Sequence, residues 1–299
     1  MKIYTGCVPC FARQAVEAAE MSTNDPELRQ TIIRKALHAL AELPYNKTPP
    51  YAGVIIHRIV KSMVGNIDPY RELKHIYNRK ALELYPAMKE MVAQSSDMLE
   101  RAARLAIAGN NIDFGMRSNN DHIDLHEAID ETLNSSLAID HMSQFAESLD
   151  MANKILYIAD NAGEVVFDRV LIEEIPDYHE RVVFVVKGGP VLNDATVADA
   201  EEAGLTGIVR VIDTGSDAPG TIIEMCSESF KKELYSADLI IAKGQANYET
   251  LSEGPPDVFF LLKAKCSVIA GDLGVPVGSL VLESLVEKNA APASVQPSR

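Results

Sequence analysis

Lys154-Ile155-Leu156-Tyr157-Ile158-Ala159 runs directly into Asp160-Asn161-Ala162-Gly163-Glu164. The apolar run reads as a buried strand, and the segment after it as the turn into a helix. An acid and an amide therefore stand where a strand gives way to a helix, the edge at which open α/β sheets bind ligands. The layout recurs downstream. Val182–Val186 leads into Lys187-Gly188-Gly189-Pro190, 208–212 into Asp213-Thr214-Gly215-Ser216-Asp217, and 239–242 into Lys243-Gly244-Gln245-Ala246-Asn247. Polar groups of both signs collect at one rim of a single sheet, a pattern suited to a metal and an anionic substrate.

Between these runs lie helical stretches at 165–174, 196–203, 218–229 and 248–253. The alternation predicts a parallel sheet with helix crossovers. Ser267–Ala270 reads as one more strand. The first half is different: 11–21, 27–43, 53–64, 69–83, 85–108, 122–134 and 138–151 carry apolar residues at helix spacing. Gly109 is suited to a left-handed cap closing the helix before it. The expected fold is α/β: an N-terminal helical region packed on a Rossmann-like, mostly parallel sheet with helices on both faces. The expected divisions are a helical domain over 1–150, an α/β metal- and substrate-binding domain over 151–288, and a disordered tail over 289–299.

The chain has 299 residues, 47% of them apolar, and a net charge of −15. So acidic a protein lacks the basic surface that nucleic acid or an anionic membrane requires. No apolar run approaches the length of a membrane span. A cytoplasmic location is expected, and nothing in the sequence bears on oligomeric state.

Asp160, Asn161 and Asp194 offer hard oxygen ligands, which suit Mg²⁺ or Mn²⁺. Asn161 and Asp194 could equally be helix N-caps. Lys187, Lys243 and Lys265 could neutralise a phosphate or be ordinary loop charges. Lys243 is the strongest of them, because Gly244 lets the backbone approach closely, and Asn247 would stand at a helix start, where backbone N–H groups favour an anion. Gly109-Asn110-Asn111-Ile112-Asp113 reads as a cap and turn, or as a loop reaching over the rim. No P-loop or dinucleotide fingerprint is present. His122 and His126 are four apart without an H-E-x-x-H pattern, which favours a surface or core role. Cys7-Val8-Pro9-Cys10 is compatible with buried thiols, half a metal site or a redox pair. No secretory n-region and h-region precede the cysteines in this sequence, so a disulfide framework is not expected.

Taken in order, seven segments resemble a known family: Cys7–Ala15, Asn66–Leu82, Ala108–Gly115, Asp160–Glu164, Lys187–Thr196, Asp213–Gly220 and Lys243–Tyr248. The chain resembles the metal-dependent damage-control phosphatases, in particular an archaeal and bacterial branch with an N-terminal C-x-x-C. The resemblance implies Asp160, Asn161 and Asp194 as ligands of a divalent metal (Mn, Co, Ni or Mg). It also implies Lys243, Gly244, Asn247 and Tyr248 at the substrate, Lys265 on the phosphate, and Asn110 and Asp113 at the site. Sugar-phosphate-cleaving relatives often have arginine after N-Y, where this chain has Glu249, so a fructose phosphate is not implied. The implied activity is hydrolysis of phosphate monoesters of small metabolites, damaged or surplus ones included, with water or Asp160 as nucleophile. Two rivals stand beside it: an S-adenosylmethionine-dependent carboxyl methyltransferase and a non-catalytic phospho-ligand-binding protein.

Overall fold

The computed structural model describes residues 1–65, 68–111, 125–255 and 257–285. Six helices come first: α1 (Val8–Ser22), α2 (Pro26–Ala41), α3 (Pro50–Val64), α4 (Arg71–Ala93), α5 (Met98–Asn111) and α6 (Leu125–Asn134). Strands and helices then alternate: β1 (Leu137–Asp140), α7 (Met142–Met151), β2 (Ile155–Ile158), α8 (Glu164–Ile172), α9 (Tyr178–Arg181), β3 (Val182–Val186), α10 (Val197–Glu202) and β4 (Arg210–Asp213). The rest comprises α11 (Glu228–Tyr235), β5 (Leu239–Lys243), α12 (Gly244–Leu251), β6 (Val258–Lys263), α13 (Ser267–Leu273) and β7 (Leu280–Ser284).

The seven strands form one sheet in the order β1-β7-β6-β5-β2-β3-β4. All neighbours are parallel except β6 and β7. From β2 the chain winds outward through β3 to β4, then returns to the other side of β2 as β5. The direction of winding thus reverses between β2 and β5, and in such folds the crevice beyond the strand ends there is the binding position. Asp160 follows β2 and Lys243 ends β5, so the topology brings both to that crevice.

Alternate residues of each strand feed two cores. Ile155, Tyr157, Phe184, Ile241 and Phe259 pack against α4, α5 and α8. Leu156, Ile158, Val185, Ile240 and Phe260 pack under α11, α12 and α13. Both faces of the sheet are covered, which is why its central strands read as unbroken apolar runs. Helices α1, α2 and α3 close on a smaller core of their own around Ala15, Ala18, Ile32, Ala36, Ile56 and Val60.

Several sequence expectations need correction. Ser267–Ala270 is the first turn of α13, not a strand. Strands β6 and β7 were not anticipated, and neither was β1, which occupies the start of the helix expected over 138–151. The break expected near Leu84 is absent. Helix α4 runs through Pro86, because Leu84, Met88 and Val92 are buried in the larger core. The break comes instead at 94–97, where Asp97 accepts the N–H of Glu100 (2.9 Å) to start α5. Gly109 is no left-handed cap. It lies inside α5, and a Cβ there would sit 3.0 Å from Phe167, so its bareness lets α5 approach α8 closely. The helix expected over 218–229 begins only at Glu228, capped by Ser227 through the Phe230 N–H (3.2 Å). Asp113, His122 and the tail 289–299 lie outside the described residues.

Candidate active site

Two loops at the switch point are joined edge to edge. Ala162 N–H donates to the Asn193 carbonyl and Ala195 N–H to that of Asp160, both at 2.9 Å. Asn161 and Asp194 pair as an isolated antiparallel bridge. Residues more than thirty apart in sequence are thereby fixed side by side. Gly163 turns the chain into α8 with φ +80°, and its N–H donates to Asn78 Oδ1 of α4 (2.7 Å).

Into this corner point four carboxylates. Asp160 Oδ2 accepts from Asn110 Nδ2 (2.9 Å) and Asn161 Nδ2 (3.0 Å). Glu164 accepts from the same two amides, at 3.1 and 3.2 Å from Asn110 and 2.7 Å from Asn161. Lys243, wholly buried, donates to Asp168 Oδ1 (2.6 Å) and lies 3.4 Å from Glu164 Oε2. Tyr157 OH adds a second donor to Asp168 (2.8 Å). Lys187 donates to the Gly220 carbonyl and stands 3.5 Å from Asp194 Oδ2. That contact is ionic only: among the described residues, the buried Asp194 Oδ2 has no hydrogen-bond partner.

Among the described residues, four buried carboxylates face two buried lysines, which leaves negative charge uncompensated, and protonation responds to it. Burial first, then Glu164 and Asp194, push the Asp160 carboxyl well above the usual carboxylate range. Burial lifts Asp194 to about 6 despite the pull of Lys187. It lifts Asp168 likewise to about 6 against the pull of Lys243. Burial opposes the charge of Lys243 too, yet Asp168 and Glu164 together hold its pKa above the ordinary lysine value.

Capping does not explain these residues. The N-cap of α10 is Thr196, in a reciprocal capping box with Asp199, so the Asp194 carboxylate is left over. The N-cap of α8 is Gly163, and Asn161 presents its amide to two carboxylates. Gly244 completes the corner. It adopts φ +79°, and a Cβ there would overlap the Asp160 carboxylate. Among the described residues no three Asp, Glu, His or Cys side chains already converge on a metal-sized point. The uncompensated oxygens, the orphan Asp194 Oδ2 and the bare Gly244 nonetheless form a hard-donor cradle of the kind a divalent cation takes.

A model of the damage-control phosphatase ARMT1-like domain matches residues 3–281. The chain belongs to the damage-control phosphatase family. It is 39% identical to damage-control phosphatase PH1575 of Pyrococcus horikoshii, over 94% of this chain and 97% of that one. A damage-control phosphatase of Archaeoglobus fulgidus is 35% identical over 94% and 98%. Uncharacterized protein MJ0202 of Methanocaldococcus jannaschii is 43% identical over 94% and 95%. The crystal structure of a DUF89 family protein, PH1575 of P. horikoshii, superposes with a TM-score of 0.84 at 38% identity, covering 95% of this chain and 99% of that one.

In this damage-control phosphatase fold Asp160, Asn161, Asp194, Asn110, Lys243 and Gly244 come together in one corner. Asn247 does not present its amide to that corner: its side chain is consumed by the Ala159 carbonyl (3.1 Å), the Lys243 carbonyl (2.7 Å) and the Thr221 hydroxyl (2.8 Å). It ties β2 to the start of α12. Tyr248 points away as well, to Asp272 (2.7 Å). Lys265 follows β6, and it is exposed at the edge of the crevice, within electrostatic reach of Asp160. The sequence reading assigned no role to Glu164, Asp168 or Asn78. The spacing of Glu164 and Asp168, one helical turn apart at the start of α8, was the available signal. Asn78 had none, because it acts across 85 residues of chain.

Proposed function

We propose that the chain is a divalent-metal-dependent phosphatase that hydrolyses phosphate monoesters of small metabolites, damaged or surplus ones among them. The observation that carries this reading is the uncompensated acidic corner at the switch point, with Asp194 Oδ2 buried and free of hydrogen bonds. Family membership supports the phosphatase chemistry. Asp160, Asn161 and Asp194 would hold Mn²⁺, Co²⁺, Ni²⁺ or Mg²⁺. When bound, the cation supplies Lewis-acid withdrawal of charge from a phosphoryl oxygen.

The chain's own residues do the rest. Asn110 and Asn161 bridge Asp160 to Glu164, so the two carboxylates are oriented as a unit. Glu164 is our choice for the carboxylate that takes the proton of an attacking water. Lys243, held by Asp168, fixes Glu164 from behind and keeps positive charge under the crevice. Lys265, exposed at the edge, is the lysine with freedom to meet the incoming phosphate. Such preset charges stabilise a phosphoryl transition state without reorganising. The charge of −15 disfavours nucleic acid as partner, and among the described residues no helix is long and apolar enough to cross a membrane. A cytoplasmic site of action on a small phosphorylated metabolite is the matching proposal.

The test is p-nitrophenyl phosphate hydrolysis by metal-stripped protein re-supplied separately with Mn²⁺, Co²⁺, Ni²⁺ and Mg²⁺, beside Asp160→Asn. Metal-dependent release that vanishes in the variant is expected. Folded protein that releases nothing with any metal, against this substrate and a panel of phosphometabolites, would overturn the reading.

A further inference from the structure

The rim leaves one motif unused. Cys7-Val8-Pro9-Cys10 straddles the start of α1, with Cys7 as its N-cap residue. This end of the chain packs on the first turn of α13: Val268 packs against the small core of Ile3, Cys7, Phe11 and Ala52, and a Cβ at Gly6 would lie 3.1 Å from Val268 Cγ2. Cys266 is the N-cap residue of α13. The C-x-x-C is therefore brought to a third cysteine more than 250 residues away in sequence. Cys7, Cys10 and Cys266 lie within electrostatic reach of one another and of Glu249. Gln245 ties two of these groups together, donating through Nε2 to Glu249 Oε1 (3.2 Å) and to Cys266 Sγ (3.8 Å). Glu249 is almost fully buried. The fourth cysteine, Cys226, stands apart in the core under α11.

We propose that Cys7, Cys10 and Cys266, with Glu249 as fourth donor, form a second metal centre that takes a thiophilic divalent cation such as Zn²⁺. Three thiols and a carboxylate are a donor set for a tetrahedral d¹⁰ ion, and softer than the all-oxygen rim. The site is electrostatically short of positive charge. Burial, together with Glu249 and the neighbouring thiols, raises both Cys7 and Cys10, with Arg13 offsetting part of this at Cys10. Burial also lifts Glu249 to about 7, with Gln245 and the Met1 amino group drawing it back. A cation that binds here must displace the thiol protons. The ligands do not converge on one point, and Cys10, which is exposed, is the one that must turn inward. The cation itself would close the site. The pairing is independent of the rim reading, since it uses none of the same side chains.

The test is titration of reduced, metal-stripped full-length chain with Co²⁺, then Zn²⁺. The expected result is an intense near-ultraviolet thiolate-to-cobalt band with the visible bands of a tetrahedral ion, bleached by Zn²⁺. Cys10→Ser and Cys266→Ser, each checked for native far-ultraviolet dichroism, should lose the band and one equivalent of bound metal. Asp160→Asn should keep both. A Co²⁺ form without a thiolate band overturns the proposal, as does a band that survives unchanged in Cys10→Ser and Cys266→Ser.

Discussion

Asp194 and Asp199 are five residues apart, both buried, and opposite in their surroundings. Asp199 is fully answered: Lys74 (3.2 Å), Asn78 (3.0 Å), and the N–H and hydroxyl of Thr196 (2.8 and 2.7 Å) all donate to it. Lys74 is shared with Asp68 (3.1 Å), so α4, its leading loop and α10 are clamped together. Among the described residues Asp194 Oδ2 receives no hydrogen bond, and the cation beside it, Lys187, stands 3.5 Å away. A buried carboxylate needs partners. Where the chain supplies them, the residue holds the fold together. Where it withholds them among neighbours of like charge, the carboxylate is a donor for the cation proposed above. The difference also gives a reason for Lys74 and Asn78, within a segment that resembles the family: they brace the loops of the rim.

The strongest way to break this contrast is to neutralise each aspartate. Asp160→Asn or Asp194→Asn should lower kcat/KM by on the order of 10³-fold, with the fold retained. Asp199→Asn should instead cost stability, about 3 kcal/mol as for a broken buried ion pair, read by denaturant unfolding, with kcat changed far less. Gly244→Ala should lower kcat by roughly 10²-fold, the scale of a small misplacement at a reacting centre, because the new Cβ must displace Asp160.

Metal sharpens the contrast further. At 100 times its Kd, a cation should stabilise the stripped wild type by about 2.7 kcal/mol. The same gain should appear in Asp199→Asn but not in Asp194→Asn, as scanning calorimetry would show. The smallest effect is with pH. Carboxyls raised in the folded state favour folding at low pH, so stripped protein should lose stability as pH rises through about 6. Asp194→Asn should flatten that slope. For the same reason protons compete with the cation, and metal affinity should weaken as pH falls through that range.

The sequence made the parallel sheet and its polar rim legible because β2, β3 and β5 are apolar runs ending in turn chemistry. It hid β6, because 258–262 is apolar throughout, and such a run does not distinguish a buried strand from a buried helix. It misdirected at Ser267–Ala270, where β-branched residues suggest a strand but Ile269 and Ala270 point into the core from one helical face. The residues facing the metal corner were visible at strand ends. Those that orient them were not: Asn78, Asp168 and Tyr157 look like ordinary helix and strand residues until distant segments meet. Asn247 shows the converse, a residue legible as part of a motif whose amide serves backbone carbonyls.

The most direct test is phosphate release by stripped protein re-supplied with Mn²⁺, measured side by side for wild type, Asp194→Asn and Asp199→Asn, with Glu202→Gln as a milder probe of the brace, since the partly exposed Glu202 accepts from Asn78 Nδ2 (2.8 Å). The account predicts metal-restored turnover in wild type, in Glu202→Gln and in whatever fraction of Asp199→Asn is folded, with none in Asp194→Asn. Equal turnover per folded molecule in Asp194→Asn and wild type would contradict it.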